Sequence, residues 1–478
     1  MVCQACALIF LYLYNTYMKA IITNSVIVLK DPTVDVEKRL NKLLTFKDKS
    51  IEYRLRKNKD KSWFKRSVLY QELRQELHKS LLYKLKDGHL ALASGFATLI
   101  KNMNVDIEDR RADTGDDIPL PWINKPFDLR DYQNEALILM KENHRGIINF
   151  ATALGKTLLA VHAIREFRKK TLIVVPSTNI ADQFYEDLCL AFGGNKIGYF
   201  GNGKQKIRSI TVGIAQSVNN HADKFKEQGL GLVIFDEGHH ISADTFYSIA
   251  KQLGEVGRVY GLTATAFRSD GKDIMLTAGC GEILIKRDVI WGVKNGWLAQ
   301  PVFFMRNVDT RHCKQYKHDK LKNYKSHVLN CDAMKNQIQS DMQKFMANGK
   351  RVLCLVDEVA HGRELSRVLG IPFATGKDKK SQGYVDDFNA KKIMGLVGTD
   401  GKIGEGVNTK PVEVLILANF VAGKGPVLQC IGRGLRKEGD KTHCIILDYR
   451  PTGSDMLSRH ADQRLRYYRE ITDKIKEI

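Results

Sequence analysis

The sequence predicts an α/β protein of two successive domains, each a parallel sheet covered on both faces by helices. Short apolar runs that end in small or polar residues alternate with helical stretches. These runs fall into two sets: Gly146–Phe150, Thr171–Val175, Ile210–Ile214, Leu232–Phe235 and Val259–Leu262, then Arg351–Val356, Ile393–Val397, Val412–Ala418 and His443–Leu447. They are continuously apolar, as strands buried on both faces must be. A break between the two sets is expected near Trp297–Pro301.

Taken from the amino end, residues 1–17 stand apart. Ala5–Tyr14 is apolar but too short to span a bilayer, and no basic segment precedes it as in a signal peptide. Met18-Lys19 opens more ordinary sequence, so residues 1–17 read as a leader upstream of the true start, with Ala20–Leu29 as a first strand. Residues 18–117 form a small, mixed, basic α+β region. It interleaves cations with aromatics at Tyr53-Arg-Leu-Arg-Lys57 and Trp63-Phe-Lys-Arg66. Trp63 and Phe64 are candidates for stacking on bases, although a place in the core is the more ordinary use of either ring. Asp106–Asp117 is acidic and turn-rich, and with Pro119, Pro121 and Pro126 it reads as a linker. The two sheet domains then occupy residues 118–298 and 299–455, and residues 456–478 form a basic carboxy-terminal helix.

Composition narrows the class of function. A chain of 478 residues suits two or three domains, and its 43% apolar content excludes global disorder. The net charge of +21 exceeds what solubility needs and points to a polyanionic partner. The nine cysteines are scattered. Cys189, Cys280, Cys354, Cys430 and Cys444 lie in apolar stretches and read as small buried hydrophobes in a reducing, cytoplasmic compartment. No membrane partner is expected.

Two segments carry the chemistry. Ala151, Thr152, Ala153, Leu154, Gly155, Lys156 and Thr157 follow one buried strand and precede a helix that begins near Lys156. Amides at such a helix start hold phosphate oxygens, a lysine reaches the β- and γ-phosphates, and a threonine hydroxyl completes a Mg²⁺ shell. Ala151 stands where the usual phosphate loop begins with glycine. Leu232–His240 ends a second strand in Asp236-Glu237-Gly238-His239. Asp236 suits Mg²⁺, together with Thr157, and Glu237 suits the general base that polarises the attacking water. The HExxH spacing of zinc peptidases is absent. Gln429-Cys-Ile-Gly-Arg-Gly-Leu-Arg436 supplies Gln429, Arg433 and Arg436 opposite the γ-phosphate, with both arginines expected on one helical face.

The set resembles the superfamily 2 helicases and translocases, which are built as two RecA-like domains around an ATP cleft. Leu129-Arg-Asp-Tyr-Gln133 is similar to their adenine-reading segment, which implies that Arg130 and Gln133 contact nucleotide. Val175-Pro-Ser-Thr178 resembles motif Ia, so Ser177 and Thr178, with Gln216, are implied nucleic-acid contacts. Gly261-Leu-Thr-Ala-Thr265 resembles the motif that links hydrolysis to strand movement, which assigns coupling roles to Thr263, Thr265 and His239. Gly398-Thr-Asp400 with Gly404-Glu-Gly-Val-Asn408 resembles motif V, placing Thr399 on nucleic acid and Glu405 at the nucleotide. The resemblance covers residues 127–450, with every motif in order. Phe267-Arg-Ser-Asp-Gly271 is most similar to XPB-like and phage UvsW-type DNA helicases. It implies ATP and Mg²⁺ as cofactors, branched or single-stranded DNA as partner, a monomer, and host cytoplasm for a phage protein. An RNA helicase, the motor of a restriction complex and a non-catalytic ATP-switched clamp are the rival readings.

Overall fold

The computed structural model describes residues 18–58, 62–65, 67–238, 243–264, 272–316, 319–376, 378, 380–399 and 412–478, without the side chains of Trp63, Phe64 and Lys320. The expectations for residues 1–17, for stacking by Trp63 and Phe64, and for His239, Thr265 and Glu405 therefore lie outside the described residues.

The run Ala20–Leu29 is two strands rather than one. β1 (Lys19–Ile22) and β2 (Val26–Lys30) form an antiparallel hairpin. Thr23 closes the turn by donating its backbone N–H and its hydroxyl to Val26 O at 2.9 and 2.8 Å. Asn24 is buried there, donating from Nδ2 to Ala112 O and Glu255 O. These polar side chains satisfy the backbone where apolar patterning alone reads straight through. β3 (Thr45–Lys47) pairs with β4 (His78–Ser80), and the helices Lys49–Lys57, Ser62–Lys65 and Val68–Glu76 fill the excursion between them. β5 (Leu82–Lys84), β6 (Leu90–Ala93) and β7 (Asp106–Asp109) complete a five-stranded sheet ordered β5-β6-β2-β1-β7.

β7 corrects the expectation of a linker, because the acidic stretch enters the sheet parallel to β1. The residues after β7 are stapled down by charge. Asp113 takes Arg258 at 2.6 Å, Asp116 takes Lys170 at 2.7 Å, and Asp117 takes Lys169 at 3.0 Å. Gly257 lets this segment lie flat, since a Cβ there would press on Thr114 N at 2.6 Å.

The chain divides into two compact units, residues 1–150 with 156–286, and residues 151–155 with 287–478. The division falls before the Trp297–Pro301 expected from sequence. The amino-terminal sheet is not a separate body within the first unit. Its core residues Ile22, Ile27, Leu90 and Ile100 pack in one cluster with Ala243, Met275 and Ala278. A Cβ on Gly95 would overlap the carbonyl oxygen of Thr277, so the two backbones touch. Lys272 bridges Asp48 at 2.8 Å and Asp244 at 2.7 Å. Buried Arg145 donates to Gly279 O, Asn24 O and Gly254 O, which satisfies carbonyls from both sides of the seam.

The larger sheet of the first unit contains β8 (Arg145–Phe150), β9 (Thr171–Val175), β10 (Ile197–Gly201), β11 (Lys204–Lys206), β12 (Ile210–Ile214), β13 (Leu232–Asp236), β14 (Arg258–Thr263) and β15 (Ile283–Arg287). Its order is β11-β10-β12-β9-β13-β14-β8-β15, parallel from β10 through β8. Each of β8, β9, β10 and β13 is buried along its whole length, as the continuously apolar runs require.

The second unit repeats the plan. It contains β16 (Gln300–Val308), β17 (Val352–Val356), β18 (Phe373–Ala374), β19 (Gly395–Thr399), β20 (Val414–Ala418), β21 (His443–Pro451) and β22 (Ile475–Glu477), ordered β18-β19-β17-β20-β21-β16-β22. The carboxy-terminal helix spans Asp455–Ile471 and stops short of the end, because the last residues pair as β22 along β16. Its cations are partly structural. Arg464 is 1% exposed and grips Asp448 with two hydrogen bonds, Nε to Oδ2 at 2.7 Å and Nη2 to Oδ1 at 3.0 Å. Tyr468 donates to the same carboxylate at 2.7 Å and stacks on Phe303 with centroids 4.2 Å apart. Among the described residues no helix is long and apolar enough to cross a membrane.

A buried, bidentate pair is costly to break from one side because the surviving charge has no solvent. Arg464→Met is expected to lower unfolding free energy by about 3–5 kcal/mol. The double change with Asp448→Leu should recover much of that loss, as measured by urea denaturation.

Candidate active site

Parallel strands end together, so whatever follows them collects along one edge of the sheet. In the first unit the segments after β12, β9, β13, β14 and β8 lie side by side in that order. They carry Gln216, Ser177 with Thr178, Asp236 with Glu237, Thr263, and Lys156 with Thr157. Residues scattered over more than a hundred positions of sequence are thereby brought to adjacent strand ends.

The loop turns sharply out of β8. Ala153 and Gly155 both have positive φ, 71° and 76°, and the helix Lys156–Phe167 starts at once. Ala151 is not among the residues of positive φ, so its methyl group meets no backbone penalty where the usual motif has glycine. Its N–H is committed to Arg287 O at 2.8 Å.

Lys156 is the buried charge of this site, 9% exposed. Its Nζ donates to Phe150 O at 3.2 Å and lies 3.1 Å from Glu237 Oε1. Glu237 takes a positive φ of 46° and donates its N–H to Leu262 O at 2.8 Å, so the backbone itself aims the carboxylate toward the loop. Asp236 is buried, and among the described residues its Oδ1 has no hydrogen-bond partner. Burial and then the adjacent Glu237 carboxylate push the Asp236 carboxyl up to about 7, against the pull of Lys156. A desolvated carboxylate oxygen beside a phosphate-type loop fits a divalent cation, and half-buried Thr157 offers the hydroxyl to share it.

Neighbouring strands brace these groups. Thr263 pairs with Asn149 across β14 and β8, and Asn149 Nδ2 donates to Thr263 O at 3.4 Å. The Tyr132 ring meets Phe150 edge-on with centroids 5.4 Å apart, which anchors the helix Asp131–Glu142 beside the end of β8. Gln133 is buried and its Oε1 accepts from the Arg130 N–H at 2.9 Å, while the Arg130 side chain is exposed. Tyr132 and Asn149 escaped the motif reading, although both lie within a few residues of motif positions. Ser177 caps the helix Thr178–Phe192 from the end of β9, and its Oγ is buried with no hydrogen-bond partner among the described residues. Gln216 is exposed and bonded to Asn220 at 3.0 Å.

In the second unit Thr399 closes β19 and is 8% exposed. Gln429 and Arg433 lie on the helix Lys424–Gly434, with Arg433 buried. The expectation that Arg433 and Arg436 share one helical face is corrected here. The helix ends at Gly434, and Arg436 lies beyond it. Glycines at 432 and 434 weaken the last turn. Gly434 also lets the chain press on the sheet, since a Cβ there would sit 3.1 Å from Cys444 Sγ. Burial, with repulsion from Arg433, brings the Arg436 guanidinium down to about 10, so this charge is held at a desolvation cost.

Residues 126–268 match the family model described as the res subunit of type III restriction enzymes. Rad25 of Halobacterium salinarum is 25% identical over 372 residues, 75% of this chain and 60% of that protein. The ATP-dependent DNA helicase uvsW of Enterobacteria phage T4 is 26% identical over 353 residues, 68% of this chain and 69% of its own length. These matches make the chain similar to superfamily 2 helicases. Its fold agrees: S. cerevisiae Dbp5 bound to RNA and ADP BeF3 superposes with a TM-score of 0.55 at 13% identity, over 74% of this chain and 90% of that one. The chain spans about three fifths of the length of the first curated relatives that it matches.

Burial disfavours the Asp236 carboxylate, so the isosteric amide should favour the nucleotide-free protein. Asp236→Asn is expected to raise its unfolding free energy by on the order of 1 kcal/mol. The thermal shift produced by Mg²⁺ with nucleotide should disappear in the same variant, which differential scanning fluorimetry can read.

Proposed function

We propose that the protein is an ATP-driven DNA motor that remodels branched DNA such as four-way junctions, D-loops and forks. One observation carries the ATPase part. Lys156, after β8, meets Glu237 and Asp236, at the end of β13, across the intervening β14, with the lysine held 3.1 Å from the base candidate. On this reading Lys156 leaves Glu237 for the β- and γ-phosphates of ATP, and the released carboxylate polarises the attacking water. Asp236 and Thr157 would hold Mg²⁺, which supplies charge neutralisation at the phosphates. Arg130 and Gln133 read the adenine end, and Glu405 adds a nucleotide contact. Gln429, Arg433 and Arg436 supply polar and positive groups for the transferring phosphoryl, Arg436 already stripped of much of its water.

The DNA part rests on charge and on the names of the relatives. Ser177, Thr178, Gln216 and Thr399 are small or polar groups at strand ends, suited to a phosphate backbone, so binding should tolerate sequence and weaken with salt. Thr263, with His239 and Thr265, would couple hydrolysis to movement along the strand. The uvsW relative is named an ATP-dependent DNA helicase and the Rad25 relative a putative DNA 3'-5' helicase, which favours DNA over RNA. The restriction-enzyme family model favours a second reading, the motor of a larger cutting complex.

Branched substrates need a contact away from the motor. The helices between β3 and β4 offer one, because Tyr53, Arg54, Arg56 and Lys57 are exposed on a single short helix. A ring that is 65% exposed beside three cations suits a splayed base and its phosphates.

Lys156→Ala should reduce ATP turnover by at least ~10²–10³-fold while DNA binding persists. Glu237→Gln should bind ATP and fail to hydrolyse it. Steady-state ATPase assays with single-stranded RNA, single-stranded DNA, linear duplex and a four-way DNA junction read the substrate class. Strongest stimulation by the junction, with ATP-dependent dissolution, supports the proposal. Stimulation by RNA alone, or by linear duplex without any action on the junction, would move the protein to a rival reading. Changing Tyr53→Ala, Arg54→Glu and Lys57→Glu together should lower junction affinity about tenfold and flatten its salt dependence. Basal ATPase should be unchanged.

A further inference from the structure

We infer that His312, Cys313 and Cys331 form a zinc site in the second unit, independent of the nucleotide chemistry. The ligand atoms of these three side chains all lie within 4.8 Å of one another. Cys331 Sγ stands 3.6 Å from His312 Nε2. Tetrahedral zinc binds sulfur at about 2.3 Å and nitrogen at about 2.0–2.1 Å, which places such a pair of donors ~3.6 Å apart. A cysteine that merely fills a core explains why Cys331 is buried. It does not explain an exposed imidazole set at the tetrahedral spacing from its sulfur, with a second thiol alongside.

The segments that bring these residues together are built independently of any ion. Thr310 is fully buried just after β16, where its Oγ1 accepts from Gly453 N–H and meets His327 Nδ1, each at 3.0 Å. Cys313 N–H donates to Thr310 O at 2.9 Å, which fixes the turn that carries both His312 and Cys313. Asn323 clasps the following loop through both backbone groups of Tyr316. From the other side Cys331 arrives as the N-cap of the helix Asp332–Ala347.

The order of burial also suits metal entry. Cys331 is buried, Cys313 is half-buried and His312 is exposed, so an ion arrives from solvent through the imidazole toward the sulfurs. Two thiolates and one imidazole favour zinc over magnesium or calcium, which prefer oxygen. Three protein ligands leave a fourth position for water. The ion would staple the loop after β16 to the start of the helix Asp332–Ala347.

The test uses the full chain, stripped of metal under reducing conditions and titrated with Co²⁺ as a spectroscopic stand-in for zinc. One equivalent should give visible bands of tetrahedral cobalt and an ultraviolet sulfur-to-cobalt band, both erased by Zn²⁺. Cys313→Ser and Cys331→Ser should each halve the sulfur-to-cobalt band. His312→Ala should weaken Co²⁺ binding by about tenfold or more. Because Cys331→Ser alters the core, Cys313→Ser and His312→Ala carry the test should that variant fail to fold. Absence of the sulfur-to-cobalt band overturns the proposal. So does a band unchanged in Cys313→Ser, or a Cys313–Cys331 disulfide in the isolated protein with no metal uptake after reduction. ATP turnover is read separately, so loss of the zinc site and failure of the motor reading are distinguishable.

Discussion

A lysine held in a water-poor site needs an anion, and in the first unit that need organises the surroundings. Lys156 meets Glu237 at 3.1 Å, and Glu237 reaches it only because residue 237 adopts a left-handed backbone at the end of β13. That conformation costs an ordinary residue about a kilocalorie or more, a strain that sites of chemistry commonly retain. The strain and the ion pair are two halves of one arrangement. The pair gives the lysine an anionic neighbour without phosphate, and the incoming phosphates have to outcompete that carboxylate. Among the described residues Oδ1 of Asp236, just before Glu237 in the chain, has no hydrogen-bond partner, so this edge suits a ligand that brings both anion and cation.

The amino-terminal sheet depends on a different kind of satisfaction. Among the described residues buried Arg145 has no ion-pair partner; three carbonyl oxygens from three segments receive its guanidinium. Burial brings it down to about 10, still well above neutral pH, so the charge persists and the carbonyls must stay in place. Lys272 solves the same problem with two carboxylates. One of them, Asp48, is also the N-cap that starts the helix Lys49–Lys57. The exposed excursion that offers Tyr53 and its neighbouring cations is thus oriented by a residue locked to the larger sheet.

Much of this was legible in the sequence where one rule governs the outcome. Strands buried on both faces announce themselves by unbroken apolar runs, and Thr171–Val175 and Ile210–Ile214 have the same limits in sequence and structure. That Lys156 after β8 and the paired carboxylates at the end of β13 lie on one edge of the sheet was equally readable, because both follow buried parallel strands. Legibility failed where local polarity or long-range pairing decides. Thr23 and Asn24 break an apolar run by satisfying backbone groups, which patterning does not weigh. Asp106–Asp109 looks like a linker because its charges suit solvent, yet an edge strand beside cations accepts them. Ile475–Glu477 continues a helical composition but is claimed by the free edge of β16. The His312, Cys313 and Cys331 cluster had no spacing signature, since its members meet only through the fold around Thr310 and Asn323.

The seam between the amino-terminal sheet and its neighbour bears on how this architecture can be cut and recombined. With β7 paired into the sheet and Asp113, Asp116 and Asp117 each holding a cation, the acidic stretch offers a protease little loose backbone. Limited digestion should therefore spare the stretch that composition marks as the obvious cleavage point. For the same reason this sheet is not a cassette. Moved to another protein without the seat made by Ala278, Arg145 and Lys272, it would carry an exposed apolar face and a stranded Asp48. An exchange of specificity between relatives would have to transfer both sides of the seam together.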